Sequence, residues 1–293
     1  MSTLSQTVQS ALRYRGGEHQ LSYIGHRISG LGTLLFLSLH ILDTATVYFF
    51  PSLYEHAINL YRSTGMMVGE MVLVVAVIAH GANGLRIAFS DFFPRSWQEA
   101  PQRTAFWFVV AASVLLSAPA VFFMGRNVYW HNICECAPEQ TLSFVLPTWA
   151  NLGIGGLFVV ALGLLARAGA FTALISGKRR NFDTWMWLFM RWSAVLLIPL
   201  VWVHVLLVDV LFGVHRIDID YVALRWATLG WRIYDIALLG FAFAHGMNGL
   251  RNVAQDYIHS PVRRRRLNWA ILGTWIVLTI IGAGAVVGGV RAP

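Results

Sequence analysis

Seven stretches of this 293-residue chain, near 27–50, 66–90, 104–125, 148–172, 186–213, 230–254 and 267–290, are each apolar over a length that can cross a bilayer. A hydrocarbon core of about 30 Å takes roughly 20 helical residues, and inside it only helices or closed barrels satisfy their own backbone polar groups. The expectation is an all-α membrane protein of about seven transmembrane helices. Composition agrees: 57% of residues are hydrophobic, 12% are charged and the mean hydropathy is +0.59, outside the range of ordinary soluble domains.

Charge then orients the spans. The first 20 residues contain Arg13 and Arg15 but no apolar signal-peptide core, so the N-terminus is expected to stay inside. The inner segments then carry Arg13, Arg15, Arg27, Arg86, Arg95, Arg103, Arg167, Lys178 to Arg180, Arg191, Arg251 and the run Arg263 to Arg266. That is most of the 22 basic residues, as the positive-inside rule requires. The net charge of +8 therefore reads as topology, and no nucleic-acid partner is expected. Cys134 and Cys136 are too few for an iron–sulfur cluster held by four thiolates and read as loop residues. There is no CxxCH for a covalently attached haem, and no GxGxxG between a strand and a helix for a nucleotide.

The chain also repeats itself. "AHGANGLRIAFSDF" from Ala79 returns as "AHGMNGLRNVAQDY" from Ala244, and "HRISGLGTLLFLSLHILD" is echoed by "MRWSAVLLIPLVWVHVLLVD". An offset of 164 pairs Arg27 with Arg191, Ser29 with Ser193 and His40 with His204. An offset of 165 pairs Glu70 with Asp235, His80 with His245, Asn83 with Asn248, Arg86 with Arg251 and Asp91 with Asp256. Chance likeness between apolar helices would match Leu and Val, whereas this match falls on polar residues. A three-span unit that begins inside ends outside, so a second copy in the same orientation needs one extra crossing. The run at 148–172, which has no partner in the repeat, supplies it. The expected division is a first three-helix unit over 1–126, an outer loop and linker helix over 127–180, and a second unit over 181–293, related as parallel repeats are.

Ionisable side chains within a bilayer are costly and mark function. His80 and His245 each lie six residues before the basic residue ending their span, about 9 Å below the inner surface at 1.5 Å per residue. His40 and His204 each lie 13 residues beyond Arg27 and Arg191, roughly 20 Å deep. Each level thus holds one imidazole from each half, which suits two b haems with bis-histidine iron ligation, offset by about 11 Å along the normal. Zinc is disfavoured, since four ligands would have to meet at one point. Gly81, Gly84, Gly246 and Gly249 make room beside the ligands for a macrocycle, or equally for a neighbouring helix. Arg86 and Arg251 lie toward the inner surface, where they could pair with propionates or simply anchor the spans.

At these residues the sequence resembles the cytochrome b membrane-anchor subunits of succinate:quinone oxidoreductase (complex II) and its fumarate reductase relatives. "HRISG" is similar to the first-helix signature of the larger anchor. H-x3-G followed by Asp and an aromatic resembles the haem helix of both, so the chain looks like the two anchors fused. The resemblance implies His80 and His245 on the haem nearer an iron–sulfur subunit, and His40 and His204 on a distal haem. It also implies an inner quinone site at Arg27 and Tyr257, with Asp256 beside them, although the expected Ser four residues before Arg27 is Tyr23, with Ser22 displaced by one. Succinate oxidation would lie on a flavoprotein partner, electrons would arrive through the iron–sulfur subunit docked on the Arg-rich inner loops, and menaquinone would be the preferred quinone. Those loops would attract anionic lipid too. The membrane would be the bacterial cytoplasmic membrane, with the N-terminus cytoplasmic.

Glu70, Asp235, Asp43 and Asp209 fall in the outer half of their spans, where they could exchange protons with a quinone or pair with a cation such as Arg62 or Arg232. Two other functions fit parts of the pattern. One is a b cytochrome serving a different quinone-linked dehydrogenase. The other is a haem-free transporter built from parallel repeats, which should show broken helices at its site.

Overall fold

The computed structural model describes residues 17–136 and 181–290, together with Val159, Gly163 and Ala166 as isolated helical positions. The expected linker span at 148–172 otherwise lies outside the described residues. All regular structure among the described residues is helical. In chain order the helices are α1 (Gly17–Phe49), α2 (Pro51–Tyr61), α3 (Thr64–Phe92), α4 (Glu99–Val128), α5 (Phe182–Val205), α6 (Ile219–Trp226), α7 (Leu229–Tyr257) and α8 (Pro261–Gly288).

Five of these are long and apolar enough to cross a membrane: α1, α3, α4 with its π-helical extension to Ile133, α5 with its π-helical extension to Phe212, and α8. The sixth long helix, α7, matches α3 in length at 29 residues. Its Asp235, His245 and Asn248 lower its hydropathy, so composition alone does not mark it as a span. The short α2 and α6 begin where the chain turns. Pro51 opens α2 at the position where a missing N–H costs nothing, and the Asp218 side chain accepts from the Tyr221 N–H to cap α6.

α1 is the central element, packing against α3 in its own half and against α7 and α8 of the other. Leu34 and Ile41 of α1 meet Leu239, Phe243 and Met247 of α7, with Trp275 and Leu278 of α8 closing the cluster. At the opposite end Val47, Tyr54, Leu207, Phe212, Tyr221 and Trp226 form a second cluster under α2 and α6. Leu35, Phe108, Leu115 and Ile280 are instead exposed on the periphery, the disposition of helices solvated by lipid.

Cys134 and Cys136, expected as plain loop residues, are joined in a disulfide just beyond the π turn of α4. Their spacing alone could not distinguish this from two free thiols.

Candidate functional site

α1, α3, α5 and α7 bring the four histidines together in two pairs. His80 and His245 have ring centroids 6.4 Å apart with planes at 85°, and His40 and His204 lie 6.0 Å apart at 75°. An imidazole–metal bond is about 2 Å and a ring centre lies about 1 Å behind its nitrogen, so two histidines sharing one metal from opposite sides have centroids about 6 Å apart. Both pairs meet that separation, and each draws one ring from either half.

Ring orientation is set by neighbours that the sequence pairs but does not explain. The Ser193 hydroxyl lies 2.8 Å from His245 Nδ1, and the equivalent Ser29 lies 3.2 Å from His80 Nδ1. His80 Nδ1 also approaches the His26 carbonyl at 3.0 Å. A histidine whose Nδ1–H is held by a carbonyl or hydroxyl turns Nε2 outward as a neutral ligand. His26 additionally stacks on His80, with centroids 3.9 Å apart and planes at 4°. At the other level, the buried Nδ1 of His204 has no partner among the described residues, while His40 stacks on Phe36.

The glycines divide between the two readings open to them. A Cβ on Gly81 or Gly249 would meet no atom within 4 Å, so both border open space. One on Gly246 would lie 2.8 Å from Leu34 Cδ1, so that glycine serves helix packing, and Gly84 faces His26. Gly30, unremarked in the sequence, admits the His80 ring, since a Cβ there would lie 2.7 Å from its Cε1.

At the end of the bundle where α1 begins, Arg86 is engaged within the protein. Its Nε donates to Asn83 Oδ1 at 2.9 Å, one terminal nitrogen donates to Ser22 Oγ at 2.7 Å and the other to Gln102 Oε1. Ser22, Asn83 and Gln102 are all buried. The Ser22 hydroxyl is thus engaged by Asn83 and Arg86. Arg27 pairs with Asp256 and lies over the Tyr23 ring, with Tyr257 exposed beside them. In the second half Arg191 pairs with Asp91, its Nε 2.9 Å from Oδ2, and lies over Trp187. Each half thus lends its first-helix arginine to the acid of the other. Arg251 reaches Asp183 at 2.6 Å.

Toward the opposite end the four acids part company. Asp235 is clamped by the buried Arg225 at 2.6 and 2.8 Å and accepts from Trp226 Nε1 at 2.9 Å. Asp43 accepts from Tyr61 at 2.9 Å. The expected cations are used elsewhere, Arg62 on the Ile217 carbonyl and Asn59, Arg232 on the Trp226 and Val287 carbonyls. Glu70 and Asp209 face one small cavity, which Asn127 also lines, and neither carboxyl has a hydrogen-bond or ion-pair partner among the described residues.

The fold and these pairs define a helical membrane protein built around two facing sets of histidines. The family model of the succinate dehydrogenase/fumarate reductase transmembrane subunit matches the chain twice, over residues 8–119 and 171–282, and the chain belongs to that family. The succinate dehydrogenase 2 membrane subunit SdhC of Mycobacterium tuberculosis is 33% identical over 138 residues, covering 98% of that protein and 45% of this chain. One whole relative thus corresponds to less than half of the present chain. No solved structure matches it. The chain is an integral membrane protein, the membrane-anchor subunit of a succinate dehydrogenase.

Proposed function

We propose that the chain is a di-haem b anchor linking an iron–sulfur subunit to a membrane quinone, menaquinone by preference, while succinate oxidation proceeds on a flavoprotein partner. The observation that carries this reading is the pairing of His80 with His245 and of His40 with His204 at a separation suited to a shared metal. When bound, a bis-histidine b haem supplies reversible one-electron transfer. The chain's own contribution is to hold four imidazoles neutral among apolar helices, to fix the rings of His80 and His245 through Ser29, Ser193 and the His26 carbonyl, and to leave room at Gly81 and Gly249.

In this reading the units 1–126 and 181–293 are two fused anchors joined through 127–180, a division supported by the reciprocal pairs Arg27–Asp256 and Arg191–Asp91. The end carrying Arg86 and Arg251 faces the bacterial cytoplasm and the partner subunits, with the N-terminus on that side. A disulfide at Cys134–Cys136 belongs in an oxidising compartment and supports placing the other end outside. There Glu70 and Asp209 exchange protons with quinone, a role for which Asp235 and Asp43 are already engaged. Glu70→Gln is expected to lower quinone turnover with both haems retained; turnover equal to wild type removes Glu70 from the route.

The decisive experiment is a pyridine haemochrome assay on the purified complex, counting b haem per copy of this chain. Two haems per chain are expected. One would confine the cofactor to a single level, and none would refute the di-haem reading.

A further inference from the structure

Cys134 and Cys136 are the chain's two cysteines, and their disulfide spans a single intervening residue. A cross-link stabilises mainly by restricting the unfolded chain, and does so more for a long loop than for a short one. A ring over one residue therefore contributes little of that kind. It also constrains the folded chain: Glu135 has a φ of 51°, and among the described residues no other non-glycine has a positive φ. A side chain is disfavoured in that left-handed region, and holding it there stores backbone strain that opening the ring would release.

Access to the two sulfurs differs. Glu135 and Cys136 are exposed, whereas Cys134 is half-buried, its Sγ 3.7 Å from the Trp130 carbonyl oxygen. The bond closes the π turn Tyr129–Ile133, where the Cys134 N–H donates to the Tyr129 carbonyl and the Cys136 N–H to the Trp130 carbonyl, both at 2.9 Å. That turn is a joint. Asn132 Nδ2 donates to the Arg62 carbonyl at 2.8 Å and to Thr64 Oγ1 at 3.1 Å, tying it to the link between α2 and α3. His131 stacks on His215 of the second half. Strained or exposed disulfides are the ones that exchange with thiols, whereas structural ones resist the glutathione pool.

We propose that Cys134–Cys136 is a thiol–disulfide exchange site, and that its opening loosens the joint made by Asn132 and His131. A thiolate attacks the exposed Cys136 Sγ. A new S–S bond forms to that sulfur while the Cys134–Cys136 bond breaks, and Cys134 leaves as a thiolate. A second thiolate attacks the sulfur of the first, which releases the external disulfide and frees Cys136. Two external thiols are oxidised and one disulfide is reduced, the two protons passing through the medium to the cysteines. The reductant is a small thiol or a protein dithiol, and the thiolate is the chemistry they share. The proposal is independent of the haem and quinone readings.

The test uses the purified, folded complex in glutathione redox buffers and, separately, with reduced thioredoxin. Because the chain has two cysteines, the gel shift of this chain after labelling with maleimide–polyethylene glycol reads this bond alone. Both cysteines are expected to take label as the buffer becomes reducing, with the complex still assembled by size exclusion. In Cys134→Ser, oxidised glutathione is expected to cap Cys136 roughly tenfold faster than it caps Cys134 in Cys136→Ser. Glu135→Gly, which accepts a positive φ without strain, is expected to need a roughly threefold more reducing glutathione buffer to open. Reduction should speed hydrogen exchange at 62–64 and 129–133 at fixed pH. Opening by glutathione supports exchange with small thiols, and opening by thioredoxin alone supports exchange with a protein dithiol. A bond that neither reagent opens until the complex unfolds, or two thiols already free under oxidising conditions, would overturn the exchange site. Equal capping of the two cysteines would overturn the order of attack, an unshifted Glu135→Gly the part given to strain, and unchanged hydrogen exchange after reduction the loosened joint.

Discussion

Arg27–Asp256 and Arg191–Asp91 are the same ion pair written twice, yet the side chains of the first are 23% and 51% exposed and those of the second 18% and 15%. Identical chemistry at equivalent positions thus sits in two dielectric environments. The first pair lies open beside the exposed Tyr257, and the second is covered by Trp187 and lies close to Phe92. The histidines show the same divergence. His80 is held through its Nδ1 by a carbonyl and a hydroxyl, whereas among the described residues His245 has the Ser193 hydroxyl alone there. Duplication fixes which residues recur, and the neighbours that differ between copies decide what each recurrence is worth.

The strongest test of likeness between the halves is removal of a ligand. His80→Ala and His245→Ala are each expected to abolish the same haem, leaving one b haem per chain by pyridine haemochrome. If one variant keeps two haems, the two halves do not share that site. The ion pairs should separate next. Asp91→Ala leaves Arg191 largely buried and unpaired, a loss of about 3 kcal/mol or more, while Asp256→Ala removes a partner half in water and should cost about 1 kcal/mol or less. Thermal denaturation of the two variants in detergent would rank them, and equal losses would erase the distinction drawn from exposure.

The serines come third. Removing a group that orients a metal-binding histidine typically costs 10–100-fold in metal affinity or activity. Ser193→Ala, which strips His245 Nδ1 of its one partner among the described residues, is expected in that range for haem retention against transfer to apomyoglobin. Ser29→Ala should have a smaller effect, because the His26 carbonyl remains for His80. A larger loss in Ser29→Ala would reverse the assignment.

The smallest effect is expected where the outer ends of the halves meet. His131 and His215 stack with centroids 4.1 Å apart. Burial, then His131 and the Arg62 cation, push the His215 pKa from its ordinary 6.5 down to about 4. The folded state therefore refuses a proton that the unfolded chain accepts. The stabilising contribution is complete above about pH 6.5 and is lost as pH falls toward 4. Hydrogen exchange at 129–133 and 214–216, corrected for intrinsic rates, should be faster at pH 5 than at pH 7.5, and His215→Phe should remove that difference.

Much of the architecture was legible in the sequence. Apolar length marked α1, α3, α4, α5 and α8, since burying a helical backbone in hydrocarbon is a local requirement that each segment meets alone. α7 was legible at 230–254 both as an apolar run and as the repeat of α3, although Asp235, His245 and Asn248 keep it out of the set that hydropathy alone marks. The pairing of His80 with His245 and His40 with His204 followed from equal depth. By contrast, Arg86 was placed by its position along its helix and Ser22 by resemblance, and neither reading foresaw the hydrogen bonds that join them to each other, to Asn83 and to Gln102. That an outer acid could pair with a nearby cation was legible, but which one was not: Asp235 takes Arg225, at the end of the preceding helix, in place of Arg62 or Arg232.

The division has a physical origin. A solvent preference or a histidine's depth is a property of one segment and its spacing, so the order of residues was enough to give helices, levels and duplication. Hydrogen-bond partners depend on which side chain from another helix arrives within about 3 Å, so that Arg86 meets Gln102 whereas its counterpart Arg251 meets Asp183. Only the packed structure decided that Ser193 would orient His245, that Glu70 and Asp209 would share a cavity, and that Arg225 would clamp Asp235.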